Sequence, residues 1–157
     1  MILIGNLSGN PGMMPAQLPS DEVLGHPRLL LVEDNVVNQE LAELHIQRLG
    51  YSFDMVTTGR EAVEAAARQH YALILMDCQM PGMDGLEATR QIRRAEAHSG
   101  RHVPIVALTA NTFATDRDAC LAAGMDDYLP SPSMRASWPT FSSNGSNAIQ
   151  NAPAKMR

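Results

Sequence analysis

Lysine is almost absent from this chain. Lys155 is the only one, against eleven arginines. Cysteine occurs only at Cys78 and Cys120, in no spacing that builds a thiolate metal site, so the expectation is two reduced thiols. No apolar run approaches the roughly 20 residues of a membrane-spanning helix. The N-terminal stretch MILIGNLSGNPGMMP has no basic leader and only a very short apolar run, which argues against a secretory signal. The expected location is therefore the cytoplasm. Acidic residues are missing from 130–157, which carry three basic residues, whereas 28–129 carry 15 Asp and Glu against nine Arg. An acidic middle argues against nucleic acid as a direct partner.

What is present is a regular alternation. The chain is 157 residues long, enough for one ordinary domain with a core. Residues 1–27 are rich in Gly, Pro, Asn and Ser without a period, as expected of a linker or frayed arm. From Arg28 onward, short apolar runs alternate with helical patterns. RLLLVED, YSFDMVTT, YALILMD, VPIVALTA and MDDYL read as strands. VVNQELAELHIQRLG, GREAVEAAARQH, GLEATRQIRRAEAH and FATDRDACLAAG read as helices. In the first helix Val37, Leu41, Leu44, Ile46 and Leu49 are the apolar positions; in the third, Leu86, Thr89 and Ile92 share one side. Apolar strands alternating with helices predict a parallel sheet covered on both faces, a doubly wound α/β fold. A helix is due after the fifth strand, but PSPSMRASWPTFSS has three prolines and no helical stripe.

In doubly wound sheets the site lies beyond the carboxyl ends of the strands. Here the first strand ends in Glu33-Asp34-Asn35, the third in Asp77 and the fourth in Thr109-Ala110. One terminal acid is ordinarily a helix cap or a solvated loop residue. Acids at the ends of two interior strands predict a hard-cation site, and Mg²⁺ with oxygen ligands suits it best. Asp77 closes a strongly apolar strand, so its carboxylate sits on a rigid base. It is placed to attack a phosphoryl group in line, with the Thr109 hydroxyl able to hydrogen-bond a phosphoryl oxygen. Met80, Met83 and Met125 are scattered and read as packing.

Four segments, LLLVEDN, LILMDCQMPGMDGLEATRQIR, PIVALTAN and AAGMDDYL, together resemble the receiver domain of two-component response regulators. They are most similar to the receivers of hybrid sensor histidine kinases. The resemblance covers residues 28–129 and implies a flavodoxin-like five-stranded sheet of order 2-1-3-4-5. It implies that Asp77 is the phosphoacceptor and that Glu33, Asp34 and Asp77 hold Mg²⁺, with the backbone carbonyl of Gln79. It implies that Thr109 is the switch hydroxyl, Tyr128 the aromatic that moves with it, and Pro81 and Gly85 the turn beside the site. The implied partners are a sensor histidine kinase, a histidine phosphotransfer protein or both. Such a domain promotes its own aspartyl phosphorylation without turning over a separate substrate. His26, His45, His70, His98 and His102 lie in no phosphodonor motif, so the chain is expected to receive phosphate only. No DNA-binding pattern follows, so the expected output is relay or protein contact.

The resemblance breaks after Leu129. The family carries Lys-Pro shortly after the fifth strand, and this chain has Ser131-Pro132. A hydroxyl cannot replace that cation, and Lys155 lies far along the tail. One explanation is a divergent natural tail, residues 130–157, without ordered structure. The other is a change of reading frame near Pro130. Take AGC or AGT codons for Ser131 and Ser137, and TCN codons for Ser133, Ser142, Ser143 and Ser146. Triplets starting at the last base of the Pro130 codon then spell Lys-Pro followed by an amphipathic pattern. Resequencing the codons from Tyr128 to Gln150 separates the two. Two other functions stay open: a pseudo-receiver that binds a partner without phosphorylation, and a hydrolase with an Asp nucleophile. DCQMPG lacks the second acid that such a hydrolase needs two residues on.

Overall fold

The computed structural model describes residues 27–109 and 114–130, and the backbone of residues 140–141 and 149–150. Strands and helices alternate as β1 (Arg28–Val32), α1 (Val36–Arg48), β2 (Ser52–Val56), α2 (Gly59–Arg68), β3 (Leu73–Asp77), α3 (Gly85–Glu96), β4 (Ile105–Thr109), α4 (Ala114–Ala123) and β5 (Asp127–Pro130). The five strands form one sheet in the order β2-β1-β3-β4-β5. Every neighbouring pair is parallel. This is the doubly wound order expected from the resemblance.

Strand periodicity decides which helix covers which face. Successive side chains point to opposite sides of the sheet. Leu30, Val32, Ile74, Met76, Ile105 and Ala107 face one side and pack with Ala62 of α2, Ala88 and Ile92 of α3 and Cys120 of α4. Leu29, Leu31, Leu73, Leu75, Val106 and Leu108 face the other and pack with Ala42 and Ile46 of α1. The central strands β1, β3 and β4 thus bury apolar residues on both faces. That is why they read as continuous apolar runs rather than alternating ones.

The helix starts are set by local hydrogen bonds. Asn35 Oδ1 accepts from the amides of Val37 and Asn38 at 3.0 and 3.2 Å. Thr58 and Glu61 form a reciprocal capping box at α2. Asp84 Oδ1 accepts from the Glu87 amide at 2.8 Å to open α3.

The buried face of α1 is not its longest apolar stripe. Ala42 and Ile46 are buried, while Val36, Val37, Leu41, Leu44 and Leu49 are exposed. The helix carries apolar residues around most of its circumference, so periodicity alone does not choose a face. In α3, by contrast, Thr89 and Ile92 are buried and Leu86 packs against the same core.

Among the described residues no helix follows β5. Two short strands, β6 (Thr140–Phe141) and β7 (Ile149–Gln150), pair antiparallel instead, where the sequence pattern predicted none. Thr, Phe and Ile favour strands. The expected N-terminal arm and, β6 and β7 apart, the expected tail from Ser131 lie outside the described residues, including Ser131, Pro132, Trp138 and Lys155. No helix among the described residues is long and apolar enough to cross a membrane.

Candidate functional site

The carboxyl ends of β1 and β3 lie side by side, with Val32 opposite Met76 in the ladder. The residues that leave these strands therefore meet. A polar cleft of about 170 Å³ opens there, lined by Glu33, Asp34, Asn35, Asn38, Asp77, Gln79 and Leu108. One carboxylate oxygen each from Glu33, Asp34 and Asp77 can be chosen so that all lie within 4.8 Å of one another. Such a set of hard oxygen donors fits a small divalent cation.

The three acids are held differently. Glu33 is 2% exposed. Its Oε1 accepts from the Asn35 amide at 3.1 Å and from Asn38 Nδ2 at 3.2 Å. Its backbone carbonyl accepts from Gln39 Nε2 at 2.7 Å. Glu33 is thus fixed by the first turn of α1. Asp34 is exposed at the cleft mouth. Asp77 lies between them in burial, and its Oδ1 accepts from the Gln79 amide at 2.9 Å. Burial pushes the Asp77 carboxyl up to about 7; the Gln79 hydrogen bond opposes this, and the charges of Glu33 and Asp34 add to it. A bound cation would relieve the same repulsion.

Backbone contacts fix the segment after Asp77. The Cys78 amide donates to the Leu108 carbonyl at 3.2 Å, and the Gly85 amide donates to the Cys78 carbonyl at 3.3 Å. Gly85 packs directly on this stretch: a Cβ there would stand 2.1 Å from the Asp77 carbonyl oxygen. Pro81 is exposed, and Gly82 beside it turns the chain at φ +79°.

Thr109 ends β4 and is buried. Tyr128 pairs with Ala107, two residues before Thr109, so both side chains project on the α2–α4 side of the sheet. The Arg117 guanidinium of α4 lies over the Tyr128 ring, 5.5 Å from its centroid.

Asn38 and Gln39 were not singled out in the sequence. Their signal was the helix start at Asn35, which aims the first turn of α1 back at Glu33. The contact between Cys78 and Cys120 left no signal, because its partners are separated in sequence and share no motif. Their sulfurs are 3.4 Å apart.

The family model described as the response regulator receiver domain matches residues 29–137, past Leu129 and into the stretch where the sequence resemblance fades. Hybrid signal transduction histidine kinase B of Dictyostelium discoideum is 46% identical over 114 residues, covering 67% of this chain. The chain spans only 6% of that protein's length. Among solved structures, the receiver domain of a sensor histidine kinase from Pseudomonas aeruginosa PAO1 is 52% identical, with a TM-score of 0.62. The alignment covers 68% of this chain and 86% of that one, and that structure has a magnesium ion coordinated in its active-site cleft. A co-crystal of the Saccharomyces cerevisiae histidine phosphotransfer protein Ypd1 with the receiver domain of its downstream response regulator Ssk1 matches at 36% identity and a TM-score of 0.63. That match covers 68% of this chain and 79% of the other.

Proposed function

The chain belongs to the response regulator receiver domain family, and we propose that it serves a phosphorelay by accepting a phosphoryl group on Asp77 from a histidine-phosphorylated donor protein in the cytoplasm. The carrying observation is the convergence of Glu33, Asp34 and Asp77 on one cleft. In this proposal residues 28–129 act as the receiver unit, 1–27 as a linker and 130–157 as a tail. Glu33, Asp34, Asp77 and the Gln79 carbonyl hold Mg²⁺. Bound there, the ion neutralises the carboxylates and the oxygens of the incoming phosphoryl group.

The chain's own residues supply the rest. An ionised Asp77 oxygen attacks phosphorus in line; the phosphorus–nitrogen bond to the donor histidine breaks, and an aspartyl phosphate remains. The Gln79 amide steadies the attacking carboxylate. The buried Thr109 hydroxyl moves to a phosphoryl oxygen and frees space for Tyr128, which carries the change to the α4–β5 surface. Val36 and Val37, each 64% exposed, stand just past Asn35 at the cleft rim. They give a protein donor an apolar footing beside the acids.

The test is phosphoryl uptake from acetyl phosphate with Mg²⁺. The wild-type chain takes up one phosphoryl group, while Asp77→Asn and chelated wild type take up none. Equal labelling of Asp77→Asn and wild type overturns the assignment. Ser131 in place of the family's Lys favours a second role, a pseudo-receiver that only binds a partner. In that case Mg²⁺ binds weakly or not at all, and no label appears.

A further inference from the structure

Cys78 and Cys120 come from different elements, the loop after β3 and the middle of α4, and their sulfurs meet at 3.4 Å. Both are free thiols. A disulfide needs roughly 2 Å between sulfurs, so closing the bond requires only a small shift of two short side chains. Cys120 is buried and Cys78 half-buried, which makes Cys78 the sulfur that a small oxidant reaches first.

The position of the pair gives the bond a consequence. Cys78 follows Asp77 directly. Its amide and carbonyl are tied to Leu108 and Gly85. On α4, Arg117 lies one turn before Cys120 and covers the Tyr128 ring. The same helix therefore touches the residue after Asp77 and the aromatic of β5. We propose that Cys78 and Cys120 are a redox modification site, forming a reversible disulfide that pins α4 to the β3 end and slows phosphoryl uptake at Asp77. The link to uptake rests on the receiver assignment above; the bond itself does not.

With a peroxide as oxidant the step balances. The Cys78 sulfur attacks one peroxide oxygen, the oxygen–oxygen bond breaks, and water leaves as Cys78 becomes a sulfenic acid. The Cys120 sulfur then attacks the Cys78 sulfur. The sulfur–sulfur bond forms, the sulfur–oxygen bond breaks, and a second water leaves with the Cys120 proton. Two thiols lose two electrons and two protons, and the peroxide is reduced. Cys120 is buried and Cys78 half-buried, so the pair reacts slowly.

The full chain is treated with hydrogen peroxide, and part is then reduced with dithiothreitol. Expected are loss of both free thiols in a monomer, a Cys78–Cys120 cross-linked peptide by mass spectrometry, and recovery on reduction. Acetyl phosphate labelling slows at least about threefold in the oxidised chain, the scale on which coupled elements shift an equilibrium. Peroxide-treated Cys78→Ala, which lacks the sulfur that the oxidant reaches first, keeps its own untreated rate. Peroxide that yields only intermolecular bonds or sulfinic acid overturns the site. A cross-linked chain that labels at the reduced rate overturns the coupling. A reduced chain that never labels counts against the receiver assignment and the coupling together, while the cross-linked peptide still decides the bond.

Discussion

Replacing Asp77 with asparagine stabilises the metal-free protein. Asp77 is packed between burial and two like charges, which push its carboxyl up to about 7. The folded state therefore binds a proton that the unfolded chain at neutral pH does not. By linkage, this group lowers stability progressively as pH rises from the ordinary aspartate value to about 7, and the full penalty stands above that. A displacement of that size corresponds to on the order of 4 kcal/mol for the ionised form. The cleft is open on one side, and solvent screening there reduces it to about 1–2 kcal/mol. For a domain of this size that is roughly 5–10 °C in Tm. Thermal melts at about pH 8 with chelator should show Asp77→Asn above wild type by that margin. The gap should close near pH 4. Saturating Mg²⁺ should also close it by stabilising wild type more than the variant. Equal Tm values at pH 8, or a gain undiminished near pH 4, would refute charge repulsion as its source.

Other sites give independent checks. Gly85→Ala drives a Cβ to within 2.1 Å of the Asp77 carbonyl oxygen. It should cost at least about 1–3 kcal/mol in denaturant melts and lower phosphoryl uptake, because Asp77 must move. Arg93 joins α3 to the lower end of β4 and β5, donating to the Gly124 and Val103 carbonyls and to Asp126, each at 2.8 Å, and pairing with Glu96. Arg93→Ala leaves those acceptors short of a donor and should cost about 2–4 kcal/mol with the cleft chemistry intact in the surviving folded fraction. Asp54 is held below its ordinary value chiefly by its hydrogen bond with Arg28, helped by Tyr71. That contribution is present above the ordinary aspartate value and lost as pH falls through the folded one. Asp54→Asn should therefore lose about 0.5–1 kcal/mol at pH 7 by urea titration, and the loss should shrink as the pH falls below the ordinary aspartate value.

The fold was legible because the interior strands leave little choice. Leu29–Val32, Leu73–Met76 and Ile105–Leu108 are apolar at every position, which only a sheet covered on both faces explains. The acids ending two of those strands were readable as a cluster before any geometry, since parallel neighbours bring their ends together. The buried side of α1 was not legible. Val37, Leu41 and Leu44 offer as much apolar surface as Ala42 and Ile46, and only packing against Leu29, Leu31 and Leu75 selects the smaller pair. The Cys78–Cys120 contact and the Arg93 hub were also invisible. The first depends on α4 packing against the end of β3, the second on α3 lying beside the segments that lead into β4 and β5, and no local motif encodes either.

The most direct measurement is to label the chain with acetyl phosphate and Mg²⁺, reduce the acyl phosphate with borohydride, and map the product by tandem mass spectrometry. Reduction converts a phosphorylated aspartate to homoserine and so marks the acceptor. The expected result is homoserine at position 77 and at no other acid. Homoserine at Asp34, Asp84 or another carboxylate, with position 77 unmodified, would contradict the assignment of Asp77 as the phosphoacceptor.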